Sequence, residues 1–203
     1  MKRHPLFPLC AFVFGPAVRL LFRARYENTE AIPRRGRVVV CCNHRSVCDP
    51  VLLAVPFRRE LRYMAKSELF TDHGPLTRAF FNLFGAFPVR RGRGDVSSVR
   101  TAEKILEAGG AVGIFPQGGC AAAGVPFRPK GGAALIAART RSPILPAAVC
   151  CPGDIRPFCG VTVRFGRVIP FETFPKKEDS TVDIRKLSVL LAREINRLLG
   201  VEP

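Results

Sequence analysis

The chain lacks tryptophan and carries only two tyrosines and three histidines in 203 residues. It has no basic tract of five or more and no RNA- or DNA-reading motif. Without tryptophan, a basic tract or a reading motif, nucleic acid is not the expected partner, although the chain is strongly basic. Acidic residues are also scarce: 16 Asp and Glu stand against 32 Lys and Arg, giving a net charge of +16 and a pI near 10.4. A chain of this charge seeks an anionic partner, such as an acidic lipid surface or a phosphorylated substrate. Its arginines come in short groups among apolar segments: Arg34-Arg35-Gly36-Arg37, Arg58-Arg59 and Arg90-Arg91-Gly92-Arg93. No C-x-x-C occurs among the eight cysteines. Cys41-Cys42 and Cys150-Cys151 are adjacent pairs that a strand would point to opposite faces, which argues against a disulfide or metal framework. Buried thiols and a reducing compartment are expected.

No apolar run is long enough to cross a membrane as one straight helix. Residues 5–18 carry no charge, but as a helix they span only about 21 Å against ~30 Å of hydrocarbon. Pro8 and Pro16 weaken it further. Lys2-Arg3-His4 could head a signal peptide, yet no A-x-A-like site follows and arginines resume at Arg19. An apolar segment flanked by arginine suits the interface of an anionic membrane; the rival reading is a first core helix. The chain therefore divides into an apolar, basic segment, 1–25, and one domain, 26–203. The 47% hydrophobic composition supplies that domain with a core.

The remaining pattern alternates strand and helix. Buried or short strands are predicted at 37–42, 61–65, 86–89, 111–115, 144–149 and 161–165. Helices are predicted after Asp49-Pro50, within 67–84, from Asp95 to the Gly109-Gly110 stop, over 132–139, and over 181–199. The last has Ile184, Leu187, Leu190, Leu191, Ile195 and Leu198 at helical spacing. Such alternation predicts an α/β domain whose ligands bind at loops beyond strand ends.

Four blocks carry the chemistry. The first is Asn43-His44-Arg45-Ser46-Val47-Cys48-Asp49, an H-x4-D spacing directly after a strand. A neutral imidazole takes a proton near pH 7, and a carboxylate on its other nitrogen holds the tautomer. Asp49 could equally cap the helix that begins beside it, and the two roles are compatible. The second is Gly85-Ala86-Phe87-Pro88-Val89-Arg90-Arg91. The third is Gly113-Ile114-Phe115-Pro116-Gln117-Gly118-Gly119, and the fourth Pro143-Ile144-Leu145-Pro146.

This order and spacing resemble the glycerolipid acyltransferases, in particular the 1-acylglycerol-3-phosphate (lysophosphatidic acid) acyltransferases. The resemblance runs over residues 26–171 and includes Met64-Ala65-Lys66-Ser67 and Phe127-x-x-Lys130-Gly131. It implies a single α/β domain with a mixed, mostly parallel central sheet flanked by helices, here with an apolar membrane-associating helix at the N-terminus. It also implies an O-acyltransferase that moves a fatty acyl group from acyl carrier protein or coenzyme A to the sn-2 hydroxyl of a 1-acylglycerol-3-phosphate. Transfer is direct, without metal, cofactor or acyl-enzyme. His44 is then the general base and Asp49 its orienting carboxylate. Arg91, Arg90, Lys66 and Lys130 are expected on the acceptor phosphate. Asn43, Ser46, Phe115, Pro116, Gln117 and Gly118 shape the site. The expected setting is peripheral or monotopic, on the cytoplasmic face of an anionic membrane.

The third block departs from the family. Gln117 stands where the pattern has Glu, Gly119 where it has Thr, and Cys120 where it has Arg. The departure leaves two alternatives open: a different lyso-lipid acceptor, or a non-catalytic lipid-binding relative.

Overall fold

Three consecutive valines, Val38 to Val40, offer no polar face, so a strand that contains them must be covered on both sides. The structure is a computed structural model describing residues 7–72, 74, 85–89, 96–122 and 124–201, apart from the side chains of residues 7–13 and 69. In it β2 (Val38–Cys42) is buried at every position. It lies between β5 (Ala111–Ile114) and β6 (Ile144–Cys150), parallel to both. Beyond β5 come β3 (Leu61–Lys66) and β4 (Ala86–Val89), also parallel. Beyond β6 lies β7 (Thr162–Phe165), antiparallel to β6, with β1 (Arg25–Glu27) beside it. The sheet has seven strands in the order β1-β7-β6-β2-β5-β3-β4. It is mixed and mostly parallel, and helices flank both faces, as expected.

Strand alternation sorts the core into two layers. Val38, Val40 and Cys42 face Leu52 and Leu53 of α2 (Asp49–Ala54), with Phe57 and Phe165. Val39 and Cys41 face the other layer, which holds α4 (Val96–Glu107), α5 (Gly132–Arg139) and α6 (Ile184–Leu199). The Cys41-Cys42 pair thus splits across the sheet. On α6, Leu187, Leu191 and Ile195 are fully buried, each contributing about 1.5–3 kcal/mol. Buried Asn196 adds a polar tie, since its side chain bonds both the N–H and C=O of Phe127.

Some elements differ from expectation. The three-residue β1 was not predicted: two of its residues are charged, and only its pairing with Thr162–Phe165 makes it a strand. The last helix begins at Ile184 rather than 181, because Asp183 caps it through Lys186 N–H and Val182 bridges to Lys176. Of the helical region expected at 67–84, α3 (Glu68–Thr71) is described; Arg90, Arg91 and the Phe80 to Phe84 cluster lie outside the described residues. The N-terminal helix α1 spans Phe7–Leu21 with Pro16 inside it. Among the described residues no helix is long and apolar enough to cross a membrane. At its C-terminal end, Val18 packs on the core beside buried Phe22, whereas Phe14, Leu20 and Leu21 are exposed.

Candidate active site

Chain direction brings the site together. β2, β5 and β6 are parallel, so Asn43, Phe115 and Cys151 leave the sheet at one edge. Asn43 is buried, and its amide bonds both the N–H (2.7 Å) and C=O (3.0 Å) of Val149. The amide continues the β2–β6 ladder while freeing the next residue to turn. His44 then projects from a braced backbone: its N–H donates to Gln117 Oε1 at 2.8 Å, and its C=O accepts from Ala121 N–H at 2.8 Å.

His44 Nδ1 lies 2.8 Å from Asp49 Oδ2. A carboxylate only accepts, so Nδ1 carries the proton and Nε2 holds the lone pair. Asp49 is fully buried, and the same Oδ2 accepts the Arg45 N–H at 2.5 Å and the Ser46 N–H at 2.8 Å. Asp49 does not cap α2 as an outside residue. It is the first residue of that helix, with Cys48 in the cap position. Its side chain turns back because three donors of the preceding loop converge on it. Ser46 Oγ accepts from Cys48 N–H at 3.2 Å, a loop-bracing bond.

An aromatic column fixes the imidazole plane. Phe115 stacks on His44 with centroids 4.5 Å apart, and Tyr63 lies 6.0 Å from Phe115. Phe115 was expected to close the β5 strand; instead β5 stops at Ile114 and the ring leaves the sheet for this stack. Tyr63 also donates to Pro50 C=O at 2.8 Å, gripping the first turn of α2 that carries Asp49. Burial pushes the Tyr63 phenol well up, so it stays a donor. Gly113 makes room: a Cβ there would sit 2.5 Å from the Tyr63 ring.

The acyltransferase family model matches residues 23–150, which contain the dyad, the aromatic column and the glycine turn. The 1-acyl-sn-glycerol-3-phosphate acyltransferase of Bacillus subtilis is 34% identical over 152 residues, 73% of this chain and 73% of that protein. The chain belongs to the acyltransferase family. The enzyme of the same name from Streptococcus pneumoniae is 28% identical over 85% of this chain and 67% of its own length. In fold the acyltransferase resembles the crystal structure of the 1-acyl-sn-glycerophosphate (LPA) acyltransferase PlsC from Thermotoga maritima. The TM-score is 0.71 at 20% identity, over 95% of this chain and 78% of that one. These relatives make it an enzyme rather than a non-catalytic relative.

The acyltransferase's glycine turn sits against the dyad. Gly118 has φ +81°, and a Cβ there would lie 2.9 Å from Lys130 Nζ. Lys130 N–H bonds the C=O of buried Pro116 at 2.8 Å, so Lys130 is folded over the turn with its side chain exposed. Lys66, at the end of β3, is paired with Glu68 at 3.6 Å. Arg90 and Arg91 follow Val89, which pairs with Lys66. Gln117 needs no charge for the bond it makes, because an amide oxygen accepts a backbone N–H as a carboxylate does.

Two positioning residues escaped the sequence reading. Tyr63 has no local signal, because its role depends on β3 lying beside Gly113 of β5. Arg45 was hinted at only by adjacency to His44. Its guanidinium bonds Cys151 C=O at 2.6 Å and Gly153 C=O at 2.7 Å. A cleft of about 420 Å³ opens there, lined by Asn43, Arg45, Gln117, Cys150 and Arg164 among others. Burial pushes the Cys41 thiol to about 12 and Cys42 well up, the latter also through the Asp49 charge. Neither is a thiolate nucleophile near neutral pH.

Proposed function

We propose that the protein transfers a fatty acyl group from acyl carrier protein or coenzyme A to the sn-2 hydroxyl of 1-acylglycerol-3-phosphate, giving phosphatidic acid. The observation that carries this is the 2.8 Å contact between His44 Nδ1 and Asp49 Oδ2, which reserves Nε2 as base. Nε2 removes the hydroxyl proton as the oxygen attacks the thioester carbonyl. The tetrahedral oxyanion collapses, the C–S bond breaks, and the imidazolium returns its proton to the leaving thiolate. Asp49 stabilises the imidazolium between these steps. The thioester is already activated, so positioning and one base suffice. Arg91, Arg90, Lys66 and Lys130 are assigned to the acceptor phosphate, whose charge favours such cations. The substrates named for the Bacillus and Streptococcus relatives support this acceptor.

The net charge of +16 and the exposed Leu20 and Leu21 beside Arg19 and Arg23 support a peripheral or monotopic position on the cytoplasmic face of an anionic membrane. A second reading, a different lyso-lipid acceptor, is favoured by Gln117, Gly119 and Cys120 in the third block. An acceptor screen decides between them: purified protein, a labelled palmitoyl donor in both carrier forms, and a panel of lyso-lipids. Preferred turnover of lysophosphatidate is expected. Turnover of another lyso-lipid alone would select the second reading.

A further inference from the structure

The segment between β6 and β7 leaves the sheet at the edge that carries His44. It holds Phe158, a bulky residue with φ +63° and a ring 57% exposed. Left-handed backbone is unfavourable for such a residue, and here it presents the ring outward rather than burying it. The Arg23 guanidinium lies 6.0 Å from the ring centroid.

The ring is held in place from behind. Phe158 N–H donates to Leu21 C=O at 2.6 Å and Val161 N–H to Phe22 C=O at 3.1 Å, which binds the loop to the end of α1. Leu21, which accepts the first of these bonds, and its neighbour Leu20 (74% exposed) are also exposed. The two joined segments carry exposed Arg19, Arg23, Arg25 and Arg156, of which Arg23 lies over the Phe158 ring and Arg19 over the Tyr26 ring, and Asp154 is the one acidic residue of residues 151–161. Exposed apolar side chains on segments this rich in arginine are matched to a bilayer interface, where rings enter the acyl boundary and cations meet phosphates. The loop is also tied to the dyad. Arg45, which follows His44, clamps Cys151 and Gly153 at the start of the loop. The cleft that contains Arg45 and Gln117 is lined also by Pro152 and Gly160 of this loop.

We propose that the β6–β7 loop is a second lipid contact beside α1, inserting Phe158 into an anionic bilayer and setting the mouth of the cleft against the lipid surface. This rests on the membrane reading above. Arg45, the residue after His44, holds the start of this loop through Cys151 and Gly153, so the loop and the His44 backbone are joined.

The chain has no tryptophan, so Phe158→Trp in the full-length protein introduces a single indole reporter. Vesicles of phosphatidylglycerol and phosphatidylcholine should shift its emission to the blue, and brominated acyl chains should quench it. Phe158→Gly removes the ring while easing the left-handed backbone; it should keep the melting temperature yet weaken vesicle partition roughly tenfold. If vesicles sediment the protein but the indole emission stays unchanged, the loop is not a contact and the proposal falls while the membrane reading stands. If the wild-type chain does not sediment with anionic vesicles, the membrane reading falls first and takes the proposal with it. A dimer that Phe158→Gly dissociates, with vesicle partition unaltered, would overturn the proposal in favour of a second copy of the chain.

Discussion

Gln117 Oε1 accepts the backbone N–H of His44 at 2.8 Å, joining the two most informative blocks of the chain. The bond needs an acceptor of this length, not a charge. Gln117→Glu should therefore keep the fold and the melting temperature. Gln117→Leu leaves a half-buried N–H without its acceptor, a loss of about 1–3 kcal/mol, and lowers turnover by loosening His44. Thermal unfolding and turnover on lysophosphatidate measure both. A marked gain in lysophosphatidate turnover on Gln117→Glu would assign the natural acceptor to another lyso-lipid.

His44→Ala should cut acyl transfer by about 10²–10⁴-fold, the contribution of a positioned base, with unchanged circular dichroism. Asp49→Asn should lower kcat without a matching rise in either KM. Asp49→Ala should also lower the melting temperature, because the Arg45 and Ser46 N–H groups lose their shared acceptor. Turnover of His44→Ala at the wild-type rate would exclude the base mechanism.

Tyr63 and Gly113 form a complementary pair. A Cβ on Gly113 meets the Tyr63 ring at 2.5 Å, so Gly113→Ala should destabilise the fold by about 1–3 kcal/mol through overpacking. Tyr63→Leu in the same chain should recover part of that loss. Tyr63→Phe keeps the ring and removes only the bond to Pro50 C=O; kcat should fall while both KM values hold. Chemical denaturation and steady-state kinetics separate the two effects.

Arg91→Ala should raise the KM for the acceptor more than the KM for the acyl donor, because the arginine is assigned to the phosphate that only the acceptor presents near the hydroxyl. The reverse pattern would move Arg91 to the donor.

Stability should fall at alkaline pH. Burial raises the Cys41 thiol from 9.0 to about 12, and Tyr63 and Cys42 are raised by the same cause. The folded chain keeps these protons where the unfolded chain loses them. The contribution is thus complete below pH 9.0 and declines as pH rises toward the folded value, by about 1.4 kcal/mol per pH unit for one such group. Cys41→Ala should make the slope of stability against pH shallower between 9.0 and 12. Urea denaturation at several pH values reads it.

The blocks themselves were legible because each combines a local pattern with chemistry that no neighbour can alter. Val38-Val39-Val40 can only be a covered strand, and H-x4-D directly after it places a base and a carboxylate within one loop and the first turn of a helix. The strands and the helix at Gly132–Arg139 followed from periodicity and turn residues. Boundaries moved where a side chain took a role that periodicity does not encode: Asp183 caps its helix through Lys186 N–H, and Phe115 leaves its strand to stack on His44. β1 was illegible, since Arg25, Tyr26 and Glu27 carry no strand signal without β7.

The sequence by itself determined the α/β alternation, the burial of both faces of β2, the His44 and Asp49 spacing and the glycine turn after β5, because these depend on residue types a few positions apart. Only the tertiary structure decided that Gln117 braces His44, that Tyr63 and Phe115 hold its ring, and that Arg45 ties the His44 loop to the segment bearing Phe158. Those relationships join residues far apart in the chain. They exist because parallel strands deliver their C-terminal ends to one edge, and the order of strands in the sheet is set by packing rather than by any local pattern.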